Sequence, residues 1–136
     1  MANGTLIDNT TLLLKKTLDL RMRKQQVISS NIANAQTPGY LAKKFEFLDE
    51  LNQAVANPGQ GLRVTNPRHI AGAGSTLENV QGRLTTVPDR SALGDGNTVK
   101  MEEEMVDLAQ NQIMFEAAAQ MLNKKLAIIK YVVQGQ

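Results

Sequence analysis

The sequence predicts a mainly α fold: long N- and C-terminal helices forming an antiparallel coiled-coil hairpin, with a loop-rich middle containing short strands. Three observations lead there. Leu6, Leu13, Leu20 and Val27 recur every seven residues near the N-terminus. Toward the C-terminus Met105, Gln112, Ala119, Leu126 and Val133 make one seven-spaced row, and Met101, Leu108, Phe115, Leu122 and Ile129 make a second. Such paired rows are the form of a coiled-coil seam. Between the helices, Gly, Pro, Asn and Thr become dense and the helical period is lost.

The first helix is predicted over about Thr5 to Ala35. Ile7, Leu14 and Ile28 flank the heptad row, and Leu18 and Ile32 widen it into one apolar stripe. Thr5 followed by Asp8 has the form of a capping box that would satisfy free N–H groups at the start. Pro38 disfavours helical angles at Thr37, so the helix ends by about Gln36. The last helix starts after the Asp95-Gly96 turn, with Asn97 or Thr98 as its cap. Glu102, Glu103 and Glu104 lie at its positive end, and Lys124, Lys125 and Lys130 toward its negative end. At ~1.5 Å per residue its ~35 residues span roughly 50 Å.

In the middle, Phe45, Leu48, Leu51 and Val55 have the spacing of one short amphipathic helix. Leu62-Arg63-Val64 and Leu84-Thr85-Thr86-Val87 alternate as short strands do. With 4% aromatic residues and no tryptophan, no large core is expected from this segment. The chain thus divides into 1–40 (helix and turn), 41–98 (irregular middle) and 99–136 (helix), together one domain. A two-helix hairpin buries one seam of each helix, so the apolar flanks are expected to find partners on other chains.

The balance of 15 basic and 13 acidic residues points to no particular partner, but the charge is uneven along the chain. Residues 1–40 carry five basic groups against two acidic ones, and residues from Val99 onward carry four against five. The absence of cysteine excludes disulfides, thiolate metal sites and a cysteine nucleophile. No apolar run reaches the ~20 residues of a membrane-spanning helix. Asp8, Asn9, Thr10 and Thr11 interrupt what would be the apolar core of a secretory signal, so the expectation is a soluble chain, or one exported without a cleaved signal.

No convergent chemistry emerges, and neither an enzyme nor a cofactor is expected. His69 is the only histidine and follows the Asn66-Pro67 turn; zinc would need more nitrogen or sulfur than it supplies. Glu102 to Glu104 are consecutive on a helix and point apart, as a solvated first turn does. Lys15, Lys16, Arg21, Arg23 and Lys24 form a basic cluster without interleaved aromatics and with Asp19 inside it. The glycines at 59, 61, 72, 74, 94 and 96 have no phosphate-loop spacing. Arg21, Gln25 and Gln112 interrupt apolar faces, either as register-setting polar groups or as solvent-facing ones.

The densest feature is the string NIANAQTPGY at 31–40. Pro38 and Gly39 suit the central positions of a type II turn. Asn31 and Asn34 can bond carbonyls freed where the helix stops, and Ala33 and Ala35 leave room for an approaching backbone. The reading is a helix stop and a docking corner in one, a helix end seated against neighbouring subunits. "SSNIANAQTPGY" at 29–40 closely resembles the N-terminal signature of the flagellar rod, hook and hook-associated axial proteins, in which a long helix ends at this string and a second closes the chain. The matching signature positions are Asn31, Ile32, Ala33, Asn34, Thr37, Pro38, Gly39 and Tyr40. "LRVTNPRHI" and "VPDRSALGDGNTVKMEEEMVDLAQNQIMFEAAAQMLNKKL" resemble the short proximal-rod members.

The resemblance implies a structural subunit of the bacterial flagellar basal body, polymerising helically into the periplasmic rod that carries torque from motor to hook. It implies export through the flagellar type III apparatus. The implied partners are further copies of the chain, other rod proteins and the basal-body protein joining rod to export gate, with no nucleic acid and no membrane span. The implied assembly seam is Leu6, Leu13, Leu20 and Val27 with Met101, Met105, Leu108, Phe115, Ala119, Leu122, Leu126 and Ile129. Phe47 and Leu51, in "FLDEL", resemble a phenylalanine-x-x-x-hydrophobic element tied to export-gate recognition; the same spacing also serves to pack an amphipathic turn. The rival readings are a flagellar export chaperone or adaptor, also a helical hairpin, and a nucleic-acid-binding module using the basic N-terminal face.

Overall fold

Two helices cross the length of the molecule, and the computed structural model describes residues 8–56, 76–89 and 94–135. Helix α1 spans Asn9–Ala33, strand β1 Lys43–Glu46, helix α2 Leu48–Ala56, strand β2 Arg83–Thr86 and helix α3 Met101–Gln134, with a single 3₁₀ turn at Leu77–Asn79. Helices α1 and α3 pack together along their length. They run antiparallel: Lys125 meets Asp8 at one end, Asn111 meets Arg21 midway, and Glu104 meets Asn31 at the other. The mainly helical hairpin expected from the two heptad patterns is therefore present.

The ends of both helices differ from expectation. Asp8 is itself the N-cap of α1; its carboxylate accepts hydrogen bonds from the Thr11 N–H and hydroxyl, both at 3.0 Å. Thr5 lies outside the described residues. Helix α3 begins after Lys100 with no side-chain cap, so neither Asn97 nor Thr98 plays that part. Three glutamates in its first turn supply favourable charge there.

The larger difference lies in the middle. Strands β1 and β2 pair antiparallel with Phe45 opposite Leu84, and β2 falls on the predicted strand at 84–87. The other predicted strand, at 62–64, and His69 lie outside the described residues. The predicted amphipathic helix forms as α2 but without Phe45, which belongs to β1. Its buried residues are Leu51 and Ala54, while Leu48 and Val55 are exposed. One residue of strand before the helix shifts the period, and the buried stripe shifts with it.

These elements make the core that composition argued against. Phe45, Phe47, Leu51, Ala54 and Val80 close around Leu20 of α1, with Leu13, Val27 and Leu77 packed at the margin. The Phe45 and Phe47 rings lie 5.9 Å apart. A low aromatic count suffices because two of the three phenylalanines are concentrated at one point. Gly82 is part of that concentration: its φ is +71°, and a Cβ there would come within 2.5 Å of the Phe45 ring. Glu50 of α2 fastens this loop by accepting from the Gln81 and Gly82 N–H groups at 3.1 and 2.9 Å.

Candidate functional site

The signature string folds into a corner closed by two asparagines. Helix α1 stops at Ala33, and Thr37 to Tyr40 form a turn with the Tyr40 N–H donating to the Thr37 carbonyl at 3.2 Å. Gly39 has φ +71°, the value a type II turn demands at that position. The Asn34 side chain donates to the Ser30 carbonyl at 2.8 Å, which also accepts the Asn34 backbone N–H at 3.1 Å and so is not a carbonyl freed by the helix end. Three carbonyls of the corner receive a further donor from a distant part of the chain, and two of them, those of Asn34 and Thr37, also accept the Thr37 and Tyr40 N–H groups. The Asn97 amide nitrogen sits 2.8–3.0 Å from the carbonyls of Asn34, Ala35 and Thr37, and its oxygen accepts from the Val99 N–H. Asn97 thus caps the end of α1, not the start of α3.

Asn31 does something the sequence did not disclose. It has 0% exposure and uses all its bonding capacity. Its nitrogen donates to the Lys43 carbonyl at 2.7 Å and to the Glu104 carboxylate at 3.0 Å. Its oxygen accepts from the Lys43 N–H at 2.9 Å and the Tyr40 hydroxyl at 3.3 Å. The side chain behaves toward β1 as a neighbouring strand would, and at the same time holds α3. Thr98 completes the corner: its hydroxyl accepts from the Ala42 N–H at 2.8 Å and donates to the Val87 carbonyl at 3.2 Å. Gly39 donates to the Asp95 carbonyl at 2.7 Å. Of the remaining signature residues, Ile32 is half-buried, whereas Ala33, Thr37 and Pro38 are exposed.

The seam residues separate into three groups. Leu13, Leu20 and Val27 pack on the core of the middle segment, and Leu6 lies outside the described residues. Helix α1 therefore buries two faces where one was expected. Met101, Leu108, Phe115, Leu122 and Ile129 are half-buried. They share a side of α3 with Glu104, Asn111, Ala118 and Lys125, whose row supplies the polar contacts to α1. The second predicted row lies on the outer edge: Met105 is 59% and Leu126 47% exposed, Gln112 and Val133 are exposed, and Ala119 is half-buried. Val106, Ile113, Met114, Met121, Ile128, Tyr131 and Val132 extend the exposed apolar surface along the same helix.

Phe47 and Leu51 are buried in the core. The Arg21 guanidinium lies 5.7 Å from the Phe47 ring centre and 3.4 Å from the Asn111 oxygen. Burial lowers the Arg21 pKa from its ordinary value. Gln25 is half-buried, and Gln112 donates to Glu116 along the exposed side. Asp8 at the far end is held at a pKa of about 2, chiefly by its hydrogen bond from Lys125 and then by the Thr11 N–H. Among the described residues no group of His, Asp and Glu converges as a metal site would. None of the described helices is long and apolar enough to cross a membrane.

The amino-acid sequence is similar to one group of known proteins. The family described as "Flagella basal body rod protein" matches residues 16–40, the second half of α1 and the corner. The chain is 33% identical to the flagellar basal body rod protein FlgB of Salmonella typhimurium, covering 89% of this chain and 90% of that protein. It is 33% identical to that of Proteus mirabilis, over 94% and 96%. It is 32% identical to that of Aeromonas hydrophila, over 88% of each. The chain belongs to the FlgB family of flagellar basal body rod proteins.

Proposed function

We infer that this chain is a structural subunit of the proximal rod of the bacterial flagellar basal body, polymerising helically to carry torque from motor to hook. The observation that carries the reading is the outer edge of α3. A helix of 34 residues, roughly 50 Å long, leaves a nearly continuous apolar stripe in solvent while its inner side is engaged. Exposed apolar surface on this scale marks an interaction site. Its occupants are further copies of the chain and other rod proteins. Head-to-tail contacts of this kind build an open helical polymer, and knobs-into-holes packing between long helices gives it stiffness.

The further partners are the basal-body protein joining rod to export gate and the flagellar type III export apparatus. Phe47 and Leu51 are core residues in the folded chain, so an export gate reading them does so before the chain folds.

A charge on the exposed apolar surface of α3 tests the assembly reading. Met121→Asp is expected to leave the chain folded by circular dichroism but to abolish rod assembly and swimming. Met121 is 54% exposed, so the change disturbs no internal packing. Normal motility with Met121→Asp would overturn the reading.

A further inference from the structure

Helix α3 has two possible inner seams. The row Met101, Leu108, Phe115, Leu122 and Ile129 can be joined by Met105, Gln112, Ala119 and Leu126 on one side, or by Glu104, Asn111, Ala118 and Lys125 on the other. The two choices differ by a roll of about 50° about the helix axis. Apolar burial alone favours the first, since Met105, Ala119 and Leu126 outweigh a glutamate, an asparagine and a lysine. The structure adopts the second. Glu104 and Asn111 are buried, and Met105 and Leu126 stand in solvent.

Each polar member of the inner row meets a counterpart on α1. Glu104 accepts from Asn31, Asn111 donates to the Arg21 carbonyl at 2.9 Å and accepts from the Arg21 guanidinium, and Lys125 pairs with Asp8. Ala118, 3% exposed, is the small residue between them. After the roll, Glu104 and Asn111 would leave these partners, and the Asn31 and Arg21 groups that face them would lose directional bonds in a poorly solvated seam.

We propose that Glu104, Asn111 and Lys125 are positioning residues that set the roll of α3, keeping its polar edge on α1 and its apolar edge outward. The apolar stripe is thereby withheld from the chain's own hairpin and left available to another helix. The inference goes beyond the assembly reading, and its test reads the single chain, so either can fail without the other.

The full chain contains no cysteine, so single introduced thiols report local exposure. Met105→Cys and Ala118→Cys bracket Asn111 on opposite edges. In the otherwise natural chain the thiol at 105 labels fast and the thiol at 118 slowly. In a Glu104→Ala, Asn111→Ala background, which removes the polar bonds without making the inner row the more apolar one, the two rates are expected to move in opposite directions, each by about tenfold, with protection gained at 105 and lost at 118. General loosening accelerates both sites and general tightening slows both; either outcome overturns the proposal, as does an unchanged pattern. Asn111→Ala alone, read in the same way, serves if the double change fails to fold.

Discussion

At the turn end of the hairpin, Asn31, Asn34, Asn97 and Thr98 answer backbone groups of α1, β1 and the turn between them. The far end differs. A single ion pair joins Lys125 to Asp8, and α3 continues with Ile128, Tyr131, Val132 and Val133 exposed. The difference separates two kinds of interaction. A buried amide without a partner costs about 1–3 kcal/mol, so directional bonds have to be completed within the chain as it folds. Apolar area is non-directional, and its burial can wait for a second molecule. One end is finished by the chain; the other is left for assembly.

If that contrast holds, changes should matter in proportion to how completely a region is closed. The largest loss is expected at Leu20, 2% exposed where α1 meets the middle segment. Leu20→Ala should destabilise the chain by about 3 kcal/mol in denaturant titration. A loss under ~1 kcal/mol would mean that the middle is held to α1 by polar contacts instead. Asn97→Ala should cost about 1–2 kcal/mol, because the α1 carbonyls it serves are left partly open to water. Hydrogen exchange should then quicken at Val99 and around the corner while the far half of α3 is unaffected; equal quickening throughout would show that the two ends are not independent.

The smallest effect belongs to the exposed end. The Asp8 pKa is lowered in the folded chain from 3.8 to about 2. Its stabilising contribution is therefore fully present above pH 3.8 and is lost as pH falls through about 2. Thermal unfolding followed over that window should fall less steeply in Asp8→Asn than in the natural chain. Identical slopes would remove Asp8 from the acid response.

Much of this was legible in the residues. Seven-residue spacing marked both long helices, and Pro38-Gly39 marked the turn with its left-handed glycine. The signature pointed to a corner seated against neighbouring subunits; within the chain it is the segment 95–98 that packs on it. Less legible were the roles of single polar residues. Asn97 looked like the cap of the helix that follows it, because a local rule assigns an asparagine before a helix to that helix; it caps α1 instead. Asn31 looked like a helix-end residue and proved to be a surrogate strand for Lys43. Phe45 and Phe47 looked too few for a core because composition counts residues without locating them.

Periodicity decides that a stretch is helical and which side of it is apolar, since both follow from neighbours three and four residues away. It does not decide which of two adjacent apolar sides faces inward. On α1 the heptad row went to the β-strand core, and on α3 the outer row went to solvent. Those choices rest on Asn31 with Glu104 and Arg21 with Asn111, pairs separated by 73 and 90 residues. A bond across such a separation forms only once the chain has folded, and it is tertiary structure that settles which face each helix keeps for itself.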